Sequence, residues 1–87
     1  MVADREKIMR QLKTARGQID AIIKMVEEDR YCVDISHQLM ATEAILNNAN
    51  RRVLTDHLKF CVNDAKSDEE RGRKVDELIN LLAKILK

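Results

Sequence analysis

With 87 residues, a net charge of +1, no proline and only two aromatics, Tyr31 and Phe60, the chain (residues 1–87) is the size of one small domain. Its composition is that of a helical or coiled-coil-like protein. Nothing in it approaches ~18 uninterrupted apolar residues, and the opening MVADREKIMRQ has no apolar signal stretch, which excludes a membrane-spanning or secreted reading and predicts a cytoplasmic location.

From Ile8 the apolar positions run Ile8, Leu12, Ala15, Ile19, Ile22 and Val26, in steps of 4, 3, 4, 3 and 4. This heptad seam predicts a helix over roughly residues 4–28. Gly17 interrupts it at a modest cost to helicity and marks either a close backbone approach or a tolerated site. Basic residues gather here: Arg5, Lys7, Arg10, Lys13 and Arg16 stand against one acid, Glu6. The run EEDR at 27–30 is the candidate connection.

A second seam, Ile35, Leu39, Thr42, Leu46, Ala49, Val53, His57 and Phe60, predicts one unbroken helix over residues 31–63, about 45 Å long. Residues 63–72, NDAKSDEERG, form the next connection, with Ser67 or Asp68 as N-cap. A third helix follows, with Val75, Leu78, Ile79, Leu82, Ile85 and Leu86 on one face. A chain this short buries only about 60% of its unfolded surface, and so long a helix needs company along its whole length. Two long helices packed antiparallel, each with a first helix alongside, give an all-α four-helix bundle from two chains.

His57 stands four residues before Cys61, about one turn away on the same helix face, while the only other cysteine, Cys32, lies 29 residues upstream of Cys61. In the cytoplasm two such cysteines are reduced thiols, ligands or redox sensors rather than a structural disulfide. Two thiolates and an imidazole are a soft donor set that suits Cu(I), and also Zn(II). On one straight helix Cys32 and Cys61 are about 44 Å apart and cannot meet within a chain. In an antiparallel dimer Cys32 of one subunit approaches His57 and Cys61 of the other, twice per dimer by symmetry. A histidine on an apolar seam and a small buried cysteine are also ordinary packing residues. Spacing alone leaves the metal site and the packing reading level. No acid–base pair, nucleophile–base arrangement or phosphate-cradling glycine loop suggests an enzyme.

The stretches LKTARGQIDAIIKMVEEDRYCVDI (12–35), ANRRVLTDHLKFC (49–61) and VDELI (75–79) run in order over nearly the whole chain. Together they resemble the copper-sensitive operon repressor family of bacterial regulators, with the Cys…His-x3-Cys spacing as the most specific part. The resemblance implies a subunit of three helices, assembled as an antiparallel four-helix-bundle dimer and then a dimer of dimers. Such proteins bind operator DNA and release it on binding their inducer. Carried over residue by residue, the resemblance implies that Cys32, His57 and Cys61 are the ligands of a trigonal Cu(I) site across the dimer interface, one Cu(I) per subunit. Tyr31 and Glu77 match residues that surround the histidine, orient it and relay metal binding to the third helix. Without the family they read as a half-buried aromatic at a helix start and an ordinary surface acid.

Nickel and cobalt sensors of this family use more nitrogen donors, with a histidine near the start of the chain and another where Cys61 stands; this chain has no histidine before His37. Formaldehyde-responsive members do not use the second cysteine. Persulfide-sensing members keep both cysteines, lack the histidine and link the two thiols between subunits through di- to tetrasulfides. His57 therefore points to copper, with reactive-sulfur sensing by Cys32 and Cys61 as the alternative. His37 lies off the seam and reads as a solvated side chain.

No helix-turn-helix or zinc finger is visible. Lys13 and Arg16, with Arg51 and Arg52, match or neighbour basic positions of the family, and Arg5, Lys7 and Arg10 add phosphate contacts. Repeated on a tetramer face, such a patch suffices for salt-dependent DNA binding, although the commoner meaning of any one of these residues is a solvated charged face. At Gln11 and Asn48 the chain has neutral residues where copper-sensing members carry arginines, a departure that bears on operator preference. The implied mechanism is allosteric derepression, in which a coupling of about 3 kcal/mol weakens DNA binding roughly 150-fold.

Overall fold

The computed structural model describes the backbone of residues 3–64 and 66–85, and their side chains except those of Cys61, Val62 and Asp64. Three helices account for nearly all of it: α1 (Arg5–Glu27), α2 (Cys32–Asp64) and α3 (Asp68–Ile85). The first seam predicts α1 to within a residue at each end. Asp4 is its N-cap, with Oδ1 accepting a hydrogen bond from the Lys7 N–H at 3.2 Å. Its C-terminus closes without glycine. Asp29 takes the left-handed conformation at φ 52°, and the N–H groups of Asp29 and Arg30 donate back to the Val26 and Met25 carbonyls at 3.1 and 2.9 Å. This is the hydrogen-bond pattern of a Schellman turn, with aspartate in the place that glycine usually takes.

α1 runs antiparallel to α2. The Asp4 N–H reaches Asp56 at one end, and the Thr42 hydroxyl donates to Gln18 Oε1 at 2.7 Å further along. α3 then folds back along the C-terminal half of α2, where Leu78 is buried.

The predicted connection over 63–72 is too long. α2 continues to Asp64 and α3 begins at Asp68, which leaves residues 65–67 between them. The polar run is the first turn of a helix. Ser67 Oγ accepts from the Glu70 N–H at 3.1 Å, while Glu70 Oε2 accepts from the Lys66 N–H at 3.3 Å. This is a form of the capping box, and Asp68, Glu69 and Glu70 face the positive end of the helix dipole. Of the predicted α3 face, Leu86 lies outside the described residues. No helix among the described residues is long and apolar enough to cross a membrane.

The seams are split between two faces. Ile8, Ala15 and Ile22, one heptad position of α1, are buried together with Thr42 and Ala49 of α2. The alternate positions remain open: Leu12 and Ile19 are each 44% exposed, Val26 56%, Leu39 52%, Leu46 42% and Phe60 44%. The molecule measures 57 × 27 × 12 Å between Cα extremes, a slab one helix thick. Its radius of gyration is 17.2 Å, against about 12 Å for a compact domain of this length. No large side chain is fully buried among the described residues. A domain stabilises itself by packing a second layer on its apolar face, and the single chain supplies only one. Gly17, for its part, is a tolerated position: a Cβ there would meet nothing within 4 Å in the single chain.

Candidate functional site

α2 fixes the geometry of the candidate ligands. It is a single helix of 33 residues whose first residue is Cys32 and whose last two turns carry His57 and Cys61. Cys32 is an exposed free thiol beside the turn that ends α1. Tyr31 immediately precedes it; the Tyr31 carbonyl accepts from the Ile35 N–H at 3.1 Å, and the residue is 68% exposed. The backbone of Cys61 lies one turn beyond His57, and its side chain is outside the described set. At 1.5 Å per residue the two cysteines stand about 44 Å apart. Among the described residues, no three side chains of the histidine, cysteine and carboxylate types gather as a metal cage within one chain.

His57 is exposed and tilts against Phe60, with ring centroids 6.4 Å apart. It opens onto a groove of about 300 Å³ between α2 and α3 that also includes Lys74 and Glu77. The structure thus brings together two of the predicted residues, His57 and Glu77, although 20 positions separate them in sequence. Lys74 is drawn towards the start of α3 by Glu70, at 3.1 Å. Hydrogen bonds from Lys74 and from the Lys66 N–H hold the Glu70 carboxyl below its ordinary range. Tyr31 sits with Cys32 at the opposite end of the helix. Donors of the predicted types are therefore present, solvent-accessible where described, and divided between the two ends of one rod. That donor chemistry fits a soft monovalent ion, provided two chains contribute.

Three of the four candidate DNA-contact residues fall into two separate depressions. One, of about 450 Å³, is lined by Arg51 and Arg52 together with Gln11, Asn48, Thr55, Asp56 and Lys59. Gln11 Oε1 and Arg52 Nε are buried there with no hydrogen-bond partner. The other, of about 520 Å³, lies along the start of α1 and takes in Arg5, Arg10 and Lys13. Arg16 is exposed one turn further along α1, apart from both. His37 is exposed, as its position off the seam predicts. Sequence reasoning missed Lys59 and Asp56. Lys59 was within reach, since it follows Arg52 by seven residues and so shares its helix face. Asp56 gave no local signal, because its partner, Asp4, lies 52 positions away in sequence.

Comparison with known proteins places this geometry among relatives. The sequence model of the family described as metal-sensitive transcriptional repressors matches residues 4–84. The copper-sensing transcriptional repressor CsoR of Mycobacterium ulcerans (strain Agy99) is 46% identical over 72 residues, which cover 83% of this chain and 62% of that protein. The chain thus spans somewhat less than two thirds of that relative's length. The CsoR of Bacillus subtilis (strain 168) is 37% identical over 84 residues, 97% of this chain and 83% of the relative. Among solved structures, the copper-sensing repressor CsoR with Cu(I) from Geobacillus thermodenitrificans NG80-2 superposes with a TM-score of 0.78 at 34% identity, over 94% of this chain and 85% of that one. The nickel-responsive transcriptional regulator InrS also gives a TM-score of 0.78, at 25% identity, over 98% and 96% of the two chains.

Proposed function

Because the chain belongs to the metal-sensitive transcriptional repressors, a family of regulators and not of enzymes, we propose that it is a copper-responsive repressor acting as a single domain in the cytoplasm. In this reading the metal-free protein holds operator DNA and lets go when Cu(I) binds between subunits, one ion per subunit. Cys32 of one subunit and His57 and Cys61 of the other would hold the ion, which supplies a soft acceptor for two thiolates and an imidazole. The observation that carries this reading is the continuity of α2, which separates Cys32 from the other two donors by the length of the helix. Only a second, antiparallel copy reunites them. The one-layer slab and its exposed apolar stripe support the same pairing, which completes a four-helix bundle. A dimer of these dimers would present the basic faces to DNA.

Glu77 steadies the imidazole from α3, and Tyr31 closes over it from the subunit that donates Cys32. Ligation then ties the ends of two helices to α3 and disfavours the assembly that matches the operator. Lys13, Arg16, Arg51 and Arg52 hold phosphates in that assembly. The test is an anaerobic Cu(I) titration of the protein on a fluorescent DNA duplex. It should saturate at one metal per subunit and release the DNA, and a protein that binds Cu(I) with its DNA affinity unchanged would refute the reading. His57→Ala that still binds Cu(I) but no longer releases DNA would locate the coupling at the imidazole.

The exposed Cys32 thiol also suits the second reading, reactive-sulfur sensing. It predicts interchain Cys32–Cys61 crosslinks carrying extra sulfur after treatment with a persulfide donor, with DNA release that survives His57→Ala.

A further inference from the structure

We propose that Asp56 is a positioning residue that fastens the basic start of α1 to the sensing end of α2. The proposal rests on the DNA-releasing function proposed above. Two observations carry it. The backbone N–H of Asp4 donates to Asp56 Oδ2 at 3.2 Å, across 52 residues of sequence. The residue before Asp4, Ala3, is 6% exposed, so it too is seated against the rest of the chain.

Asp4 is at the same time the N-cap of α1, its own carboxylate accepting from the Lys7 N–H. Asp56 thus holds the residue that begins the helix. It also lines the depression that contains Arg51, Arg52 and Lys59, and it directly precedes His57. Arg5 and Arg10 follow Asp4 within two turns and line a second depression. With the fastening made, the cations of the two helices keep a fixed offset from one another, and phosphate contacts that depend on that offset keep their register. Any displacement of the end of α2 on ligation at His57 then carries the start of α1 with it. The basic run receives the signal directly, in addition to any route through α3.

Charge alone argues the opposite sign. A carboxylate among phosphate-facing cations weakens DNA binding, so its removal strengthens binding. This difference in sign makes the proposal decidable. Asp56→Ala removes charge and hydrogen bond together, whereas Asp56→Asn removes the charge and keeps an acceptor oxygen for the Asp4 N–H.

The experiment compares the full-length wild type and both variants on a fluorescein-labelled duplex selected from random-sequence DNA by the metal-free wild type. Anisotropy is read with and without Cu(I), and amide exchange at Asp4 is followed by NMR. Asp56→Ala should bind about three- to tenfold more weakly, the span of one hydrogen bond's net contribution. Its ratio of affinities without and with Cu(I) should shrink, and its Asp4 amide should exchange faster. Asp56→Asn should bind at least as tightly as the wild type and restore both the ratio and the protection. Equal or tighter binding by both variants would overturn the proposal and leave Asp56 a counter-charge, and equal weakening of both would overturn it as well. If the wild type selects no duplex, or keeps its duplex on Cu(I) binding, the repressor reading itself fails; exchange at Asp4 then decides the fastening alone.

Discussion

Replacement of Leu46 by glutamate should turn the protein into a monomer. The proposed pairing sets Cys32 of one α2 beside Cys61 of the other, which places the two-fold axis about midway between them, close to Leu46. Each Leu46 would therefore meet its own copy. Six large apolar side chains of each subunit (Leu12, Ile19, Val26, Leu39, Leu46 and Phe60) are about half exposed, between 42% and 56%. Full burial of such a side chain is worth ~1.5–3 kcal/mol, so each retains ~1 kcal/mol to gain, or ~12 kcal/mol gross for a dimer. Association costs ~4–15 kcal/mol, so the surplus is modest and sensitive to any one position. Leu46→Glu in both subunits removes ~2 kcal/mol and adds two like charges at the axis, each of which carries a desolvation cost of several kcal/mol. A loss of ~4 kcal/mol or more raises the dissociation constant by roughly a thousandfold. Sedimentation equilibrium at micromolar concentration should show the variant at the mass of one chain, with helical circular dichroism reduced as the unsupported α2 frays. A variant that sediments like the wild type would refute the assignment of this stripe to the subunit interface.

Loss of the N-cap hydroxyl in Ser67→Ala should destabilise the start of α3 by about 1 kcal/mol, seen as faster exchange of the Glu70 amide; unchanged exchange would remove Ser67 from the capping role. Because Lys74 and the Lys66 N–H hold the Glu70 carboxyl below its ordinary value of 4.5, its contribution is fully present above that pH and is lost as pH falls through the lowered folded value. Acid titrations followed by circular dichroism should be flatter over that limb in Glu70→Gln, and identical curves would contradict the pairing. Gly17→Ala adds a methyl into open space and should stabilise the protein by about 0.5–1 kcal/mol in urea denaturation. Destabilisation instead would mean that another subunit's backbone comes against that face.

Seven-residue spacing made α1 and α2 legible almost to their termini, because burial against a neighbouring helix leaves that period in the chain. The same period carries no record of which chain the neighbour belongs to. Ile8 and Ile22 are buried within the single chain while Leu12 and Ile19 stay open, yet all four look alike in the seam. The polar run at 63–72 misled for a related reason: acids read as loop by composition are favourable in a first turn once Ser67 caps it. His57 and Cys61 are adjacent on a helix and visible by spacing. The groove shared by His57 and Glu77 depends on a turn and a second helix, and only the family resemblance anticipated it. Asp56 and Asp4 are ordinary acids until the hairpin closes.

The unbroken α2 also has a genetic consequence. If each site takes Cys32 from one chain and His57 with Cys61 from the other, alleles encoding Cys32→Ala and Cys61→Ala are each unable to respond to the inducer. Co-expressed, they form a mixed dimer in which one site is whole and the other lacks both thiols, so the two defective alleles complement and the mixed dimer takes up half the metal. A single allele encoding both substitutions does the reverse. It spoils both sites of every dimer it enters and is dominant over the wild type, holding its promoter shut in a cell that still makes normal protein.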